Sequence, residues 1–261
     1  MSLIEIKDVT KRFKAPKGEF IALDHTSFQI EDGEFLAIVG PSGCGKSTIL
    51  RMIAGLDFPD RGEILFQGKR LVGPSQAISM VFQNFALLPW KTARENVLLA
   101  LETKAALTRD QKEQTASALL TKLGLHDFED DYPGELSGGM KQRVGIARAL
   151  AVSPDVLLLD EPFSALDEVT AKELRQEVLR IWRDRQTHPD TFVLVTHLVE
   201  EAVFMADRVL VMSSRPGKVI ADIKIEIPRP RTDFLRSQVF FDYIDHIDAI
   251  LETKNAPEAE K

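Results

Sequence analysis

The run GPSGCGKST, residues 40–48, gathers three glycines, a lysine and a hydroxyl pair behind a short apolar segment. These residue types hold a polyphosphate. Gly40, Gly43 and Gly45 let the backbone curl so that its N–H groups face inward. Lys46 brings a point charge to the β- and γ-phosphates, and Ser47 offers a hydroxyl to Mg²⁺. Pro41, Ser42, Cys44 and Thr48 complete the loop. The spacing G-x-x-x-x-G-K-[ST] is met with a strand-like run before it and helical spacing after it, which is the context the loop needs. Cys44 reads as a small filler, placed where thiol reagents would attack it and a bound nucleotide would protect it.

A second phosphate-capable segment lies far downstream. LSGGMKQRVGIARAL, residues 136–150, opens a helical pattern on Ser137, Gly138 and Gly139, and so offers free N–H donors and a positive helix end. Carboxylates follow it. VLLLDEP, residues 156–162, sets Asp160 and Glu161 at the end of an apolar run of the buried parallel-strand type, the edge where ligands of parallel sheets collect. Asp160 suits the Mg²⁺ shell. Glu161 suits polarising a water aimed at the γ-phosphate, which requires a carboxylate within hydrogen-bond reach. His197 closes the run TFVLVTH at a similar strand end and reads as a γ-phosphate contact. Gln83, just after ISMVF, can reach Mg²⁺ or its water.

The elements that must position these groups are visible in the periodicity. LIEIKDV (3–9) alternates and reads as an exposed-edge strand. EFLAIV (34–39), ISMVF (78–82), VLLLD (156–160), TFVLVT (191–196) and DRVLVM (207–212) read as further strands. Helical spacing covers Lys46–Leu56 and residues 168–183, and residues 92–125 are helix-rich. Thr108 caps one of those helices with Gln111 three residues on, and Gly124 stops it. Strand–helix alternation argues for an α/β core. A helical subdomain at about 85–151 is inserted between core segments at about 1–84 and 152–226. IPRPR (227–231) reads as a stiff linker. Beyond it, Phe240, Ile244, Ile247 and Leu251 predict a short amphipathic helix in the tail 227–261, and the tip NAPEAEK reads as disordered.

Composition narrows the partners. Net charge is −7 with no basic stripe, which argues against nucleic acid. The single cysteine excludes an internal disulfide and fits a reducing compartment. The N-terminus lacks the apolar core of a secretory signal, and no stretch approaches the ~18 apolar residues of a membrane span.

Taken in order, GPSGCGKST, Gln83, LSGGMKQR, VLLLDEP, SALD (164–167) and His197 resemble the ATP-binding cassette family over roughly residues 3–225. The resemblance implies a P-loop NTPase (RecA-like) core with an antiparallel β subdomain and a helical subdomain. It implies ATP and Mg²⁺ as cofactors, and two copies facing head to tail. Each ATP would lie between the phosphate loop of one copy and Ser137, Gly138 and Gly139 of the other, which explains why one chain carries two phosphate-binding segments. By the same resemblance Asp167 reaches across the dimer. Phe13 matches the aromatic that stacks on adenine, with Phe20 as a competitor, and Met140 stands where glutamine is commonest.

The single cassette without a membrane span resembles importer subunits. LLPW followed by T-x-x-ENV (residues 87–97) and SSRPGKV (213–219) look like the importers for nitrate, alkanesulfonates and taurine. The cluster Phe85, Leu87, Leu88 and Trp90 fits a socket for a helix of an integral membrane permease subunit. A periplasmic or lipid-anchored solute-binding protein, and a peripheral place on the cytoplasmic face of the inner membrane, follow from that reading. Nitrate, nitrite, sulfonates, taurine and thiamine-precursor pyrimidines remain open as solutes. The alternative is a free-standing cassette ATPase that assists iron–sulfur assembly.

Overall fold

The computed structural model describes residues 2–15, 18–184 and 189–255. The chain folds into two compact units, one of residues 1–74 and 193–261, the other of residues 75–192.

The first unit begins with β1 (Ser2–Ala15) and β2 (Gly18–Glu31), followed by β3 (Phe35–Val39), α1 (Lys46–Ile53), β4 (Arg61–Phe66) and β5 (Lys69–Arg70). An antiparallel sheet runs in the order β2-β1-β4-β5. β1 is therefore an inner strand, not the edge its pattern suggested: Ile4 pairs with Ile30 on one side and Phe66 on the other. Alternation reports one buried face, here Ile4 and Ile6, and is silent on how many neighbours the backbone has. All five residues of β3 are buried, as its unbroken apolar run predicts.

The second unit contains β6 (Ile78–Val81), α2 (Ala93–Leu101), α3 (Arg109–Lys122), α4 (Gly138–Leu150), β7 (Val156–Asp160) and α5 (Glu168–Arg183). β6 runs parallel to β7, with Ile78 opposite Val156. The helices α2, α3 and α4 pack on one another. α3 starts at the expected capping box of Thr108 and Gln111 and is followed by Gly124 at φ +69, a conformation that suits glycine. A second capping box, Thr92 with Glu95, starts α2.

The division between the units falls within β8 (Thr191–Thr196). Back in the first unit come α6 (Val199–Met205), β9 (Arg208–Met212), β10 (Val219–Lys224) and α7 (Gln238–Asn255). β9 lies parallel to β3 and antiparallel to β10. The 227–231 segment does more than link. Arg231, 3% exposed, donates from Nε to the Ile227 carbonyl at 3.0 Å, from Nη2 to Ile225 at 3.2 Å and from Nη1 to Val203 at 2.8 Å. Its Nη1 also reaches the Phe204 and Ala206 carbonyls, so a cation closes the C-terminal end of α6. Phe240 and Ile247 of α7 are fully buried. The tail expected to be disordered, 255–261, lies outside the described residues apart from Asn255, which ends α7.

Candidate nucleotide site

In the first unit, β3 delivers the chain into the glycine loop, and α1 leaves it at Gly45, whose φ of +101 only glycine adopts without strain. A β-carbon at Gly40 would lie 3.0 Å from the Met212 carbonyl oxygen, and one at Gly45 would lie 2.6 Å from Leu23 Cδ2. The glycines therefore serve close packing as well as curling. Lys46 is only 5% exposed, and its ammonium donates to the Gly40 carbonyl at 2.7 Å and the Pro41 carbonyl at 3.0 Å. A buried lysine held by loop carbonyls is aimed, not floating. Cys44 is also buried, and burial pushes its thiol pKa up. The expected thiol reactivity is thus corrected: the side chain packs inward beneath the loop, and the thiolate is disfavoured.

Phe13 and Phe20 face each other across the β1–β2 pair, with ring centroids 5.8 Å apart and planes tilted by 33°. Both are half-buried. The Arg215 guanidinium lies 4.4 Å from the Phe20 centroid, so one face of Phe20 is already taken. His197 follows β8 and is exposed, while the Thr196 hydroxyl accepts from the Leu198 amide at 3.1 Å.

In the second unit, β7 presents Asp160 at its C-terminal end, 8% exposed, and Glu161 directly after it. Glu161 has φ +45, a conformation that costs a non-glycine residue about 1–3 kcal/mol and is kept where the surrounding structure over-determines it. Its carboxylate Oε2 accepts from Gln83 Nε2 at 3.3 Å, so the structure brings these two residues together. Its carbonyl accepts from the Ser164 hydroxyl at 3.0 Å.

Ser137 caps α4, its hydroxyl accepting from the Met140 amide at 3.3 Å. Asp167 caps α5, accepting from the Thr170 amide at 3.0 Å, and the hydrogen bonds from Thr170 hold its pKa below the usual carboxylate range. These two helix starts pack closely: a β-carbon at Gly139 would lie 2.4 Å from Thr170 Cγ2. Neither α1 nor α4 has an acidic residue in its first turn, and nor has α7, whereas α2, α3, α5 and α6 do. Both helix ends read as phosphate-binding thus keep their positive dipole uncompensated. Gly139→Ala is expected to destabilise the unit by about 1–3 kcal/mol through overpacking. Gly139→Ala with Thr170→Ser removes the offending methyl and is expected to regain most of that in thermal melts. Recovery of stability without recovery of ATPase would separate a phosphate contact from simple packing.

The segment 84–92 is stapled by two side chains. Arg148 donates to the Ala86 carbonyl at 2.6 Å and the Phe85 carbonyl at 2.9 Å. The fully buried Asn96 accepts from the Leu88 amide at 2.9 Å and donates to the carbonyls of Leu88, Lys91 and Thr92 at 3.2, 3.0 and 2.9 Å. On that fixed loop Trp90 is 70% exposed. Sequence reading named the aromatic but not the residues that hold it; the ENV triplet was the only sign of Asn96.

A buried strand, a glycine loop and a helix start, joined to an antiparallel sheet and a helical unit, define a P-loop NTPase. The family model described as ABC transporter matches residues 23–164, and the chain belongs to that family. It is 44% identical to a nitrate import ATP-binding protein of Synechocystis sp., the match covering 98% of each chain. It is 43% identical to a bicarbonate transport ATP-binding protein of Synechococcus elongatus, covering 87% of this chain and 81% of that one. An aliphatic sulfonates import ATP-binding protein of Bacillus cereus is 42% identical, over 88% of each. Among solved structures, a dimeric ATP-binding cassette in a post-hydrolysis state bound to ADP and Pi superposes with a TM-score of 0.77 at 34% identity, covering 86% of this chain and all of that one. Among the described residues no helix is long and apolar enough to cross a membrane.

Proposed function

We propose that this chain is the ATPase subunit of an importer for a small oxyanion, nitrate in the first instance. The observation that carries the solute is the end-to-end correspondence, tail included, with the nitrate import protein. The names of the relatives favour an importer over a free-standing iron–sulfur assembly ATPase.

In this reading two copies close head to tail around two ATP. Lys46 and the loop N–H groups bind the phosphates of one copy's ATP, and the partner's helix start at Ser137, Gly138 and Gly139 meets the γ-phosphate. Phe13 carries the adenine, as its place in the family pattern implies; both rings of the pair have a cation nearby, Lys11 Nζ 5.3 Å from the Phe13 centroid and the Arg215 guanidinium 4.4 Å from that of Phe20. Ser47, Asp160 and Gln83 supply hydroxyl, carboxylate and amide oxygens, the hard donors that Mg²⁺ takes alongside phosphate oxygens and water. Bound Mg²⁺ would neutralise the charge on the β- and γ-phosphates. Glu161 orients and deprotonates the attacking water, and His197 holds the γ-phosphate. Asp167, which caps its own helix, also ties the two copies together. Catalysis is positioning plus charge stabilisation. The stapled loop that shows Trp90 receives a permease helix on the cytoplasmic face of the membrane, and a solute-binding protein delivers the anion to the permease.

The test is co-purification from the native membrane followed by ATPase measurement in proteoliposomes with the cognate solute-binding protein. Nitrate is expected to stimulate turnover several-fold over bicarbonate or an alkanesulfonate. Stimulation by a sulfonate alone would reassign the solute. Recovery only with soluble iron–sulfur proteins would overturn the importer.

A further inference from the structure

SSRPGKV is a motif that the phosphate chemistry above leaves unused. In the structure it turns the chain from β9 into β10 and packs on the phosphate loop. A β-carbon at Gly217 would lie 1.9 Å from the Cys44 carbonyl oxygen. The Gly217 amide donates to the Ala22 carbonyl at 2.9 Å, and the Gly217 carbonyl accepts from the Asp24 amide at 3.1 Å. Arg215 then reaches back over the loop. Its Nη2 and Nε donate to the Gly43 carbonyl at 3.2 and 3.3 Å, while its guanidinium carbon lies 4.4 Å from the centroid of Phe20. Phe20 in turn neighbours Phe13.

We propose that Arg215 is a positioning residue for the nucleotide: one guanidinium fixes the Gly43 peptide of the phosphate loop and covers Phe20 of the aromatic pair, holding base platform and phosphate cradle in register. Gly43 has φ +76, and a glycine-rich loop lets a peptide plane rotate cheaply. A carbonyl rotated toward the phosphates would repel them. A charged donor on that carbonyl holds it outward. Only a planar guanidinium offers donors at its edge and a face for an aromatic ring, so lysine cannot do both.

The turn itself does not depend on this side chain. Ser213 and Lys218 close it by two hydrogen bonds, Ser213 N to Lys218 O at 2.9 Å and Lys218 N to Ser213 Oγ at 3.0 Å. Lys218 also pairs with Asp24 at 2.8 Å. The Arg215 side chain is exposed; Gly217 of the turn also packs on the loop, whereas Arg215 meets both the loop and Phe20.

The inference rests on the assignment of the phosphate loop to ATP, so Lys46→Ala is measured alongside. In the full-length chain, Arg215→Ala is expected to raise the KM and Kd for ATP about five- to tenfold with kcat within about twofold. The melting temperature without nucleotide should stay within about 2 °C. Arg215→Lys should recover only part of the affinity. In a Phe20→Leu background the Arg215→Ala effect should shrink, because the two side chains act together. Unchanged KM in Arg215→Ala, full recovery in Arg215→Lys, or strictly additive effects with Phe20→Leu would overturn the proposal. So would a Ser213→Ala variant with the same loss, since that variant removes the side-chain hydrogen bonds that close the turn, from the Lys218 amide and to the Pro216 carbonyl, without touching the loop. Unimpaired ATP binding by Lys46→Ala would overturn the site assignment itself.

Discussion

Glu161→Gln is expected to slow ATP hydrolysis by roughly 10²–10⁴-fold, the usual contribution of a general base, while ATP affinity changes little. The amide has the shape of the carboxylate and leaves the backbone at φ +45 undisturbed. Gln83 can still donate to the oxygen of the new side chain. What is lost is the ability to take a proton from water. ATP should then bind, close two copies and stay. Gel filtration with ATP and Mg²⁺ is expected to shift the variant to a stable dimer. A variant that remains monomeric and hydrolyses at the wild-type rate would remove Glu161 from the mechanism.

Arg231→Met should give the largest loss of stability. The guanidinium donates to five carbonyls, those of Val203, Phe204, Ala206, Ile225 and Ile227, in a buried position. Methionine fills much of the volume and satisfies none of them. An unmet buried group costs about 1–3 kcal/mol, and relaxation recovers part of the sum, so a net loss of about 3–5 kcal/mol is expected. For a chain of this size that corresponds to a fall in Tm of roughly 10 °C. Arg231→Lys should recover less than half, because one ammonium cannot span carbonyls from both α6 and the 225–227 segment. A shift within about 2 °C would show that water replaces the guanidinium there.

Much of this architecture could be read from the residues before any coordinates. The phosphate loop was legible because its chemistry is done by backbone, and only glycine permits that backbone. The buried strands 35–39, 156–160 and 191–196 were legible because burial on both faces leaves an unbroken apolar run. The strand β2 was not picked out, since register shifts between Ile6 and Val9 and around Lys11 break the regular pairing with its neighbour. The strand β4 was not picked out either: Gly62 near its start marks the end of a helical region in the sequence, and only its φ of +81 and the close approach of the Lys7 carbonyl show its place in a sheet. The helix α6 has seven residues, six of them buried, and so shows no polar face to give a helical period. The residues that brace the site escaped for a different reason. Arg148, Asn96, Arg215 and Arg231 act on backbone carbonyls, some of them far away in sequence. A side chain whose partner is a carbonyl leaves no complementary residue to notice.

The pairing of β3 with β9 bears on how the protein is made. Leu36 pairs with Arg208, and the whole of residues 75–192 is synthesised in between. That middle section leaves the ribosome as one continuous stretch and can fold while translation continues. The strand feeding the phosphate loop cannot, because its parallel neighbour has not been translated. Five apolar residues in a row then wait unpaired, an adhesive edge on the nascent chain. The strand that leads into the glycine loop thus gains this neighbour late in synthesis, and the contacts of Arg231 with the end of α6 form later still.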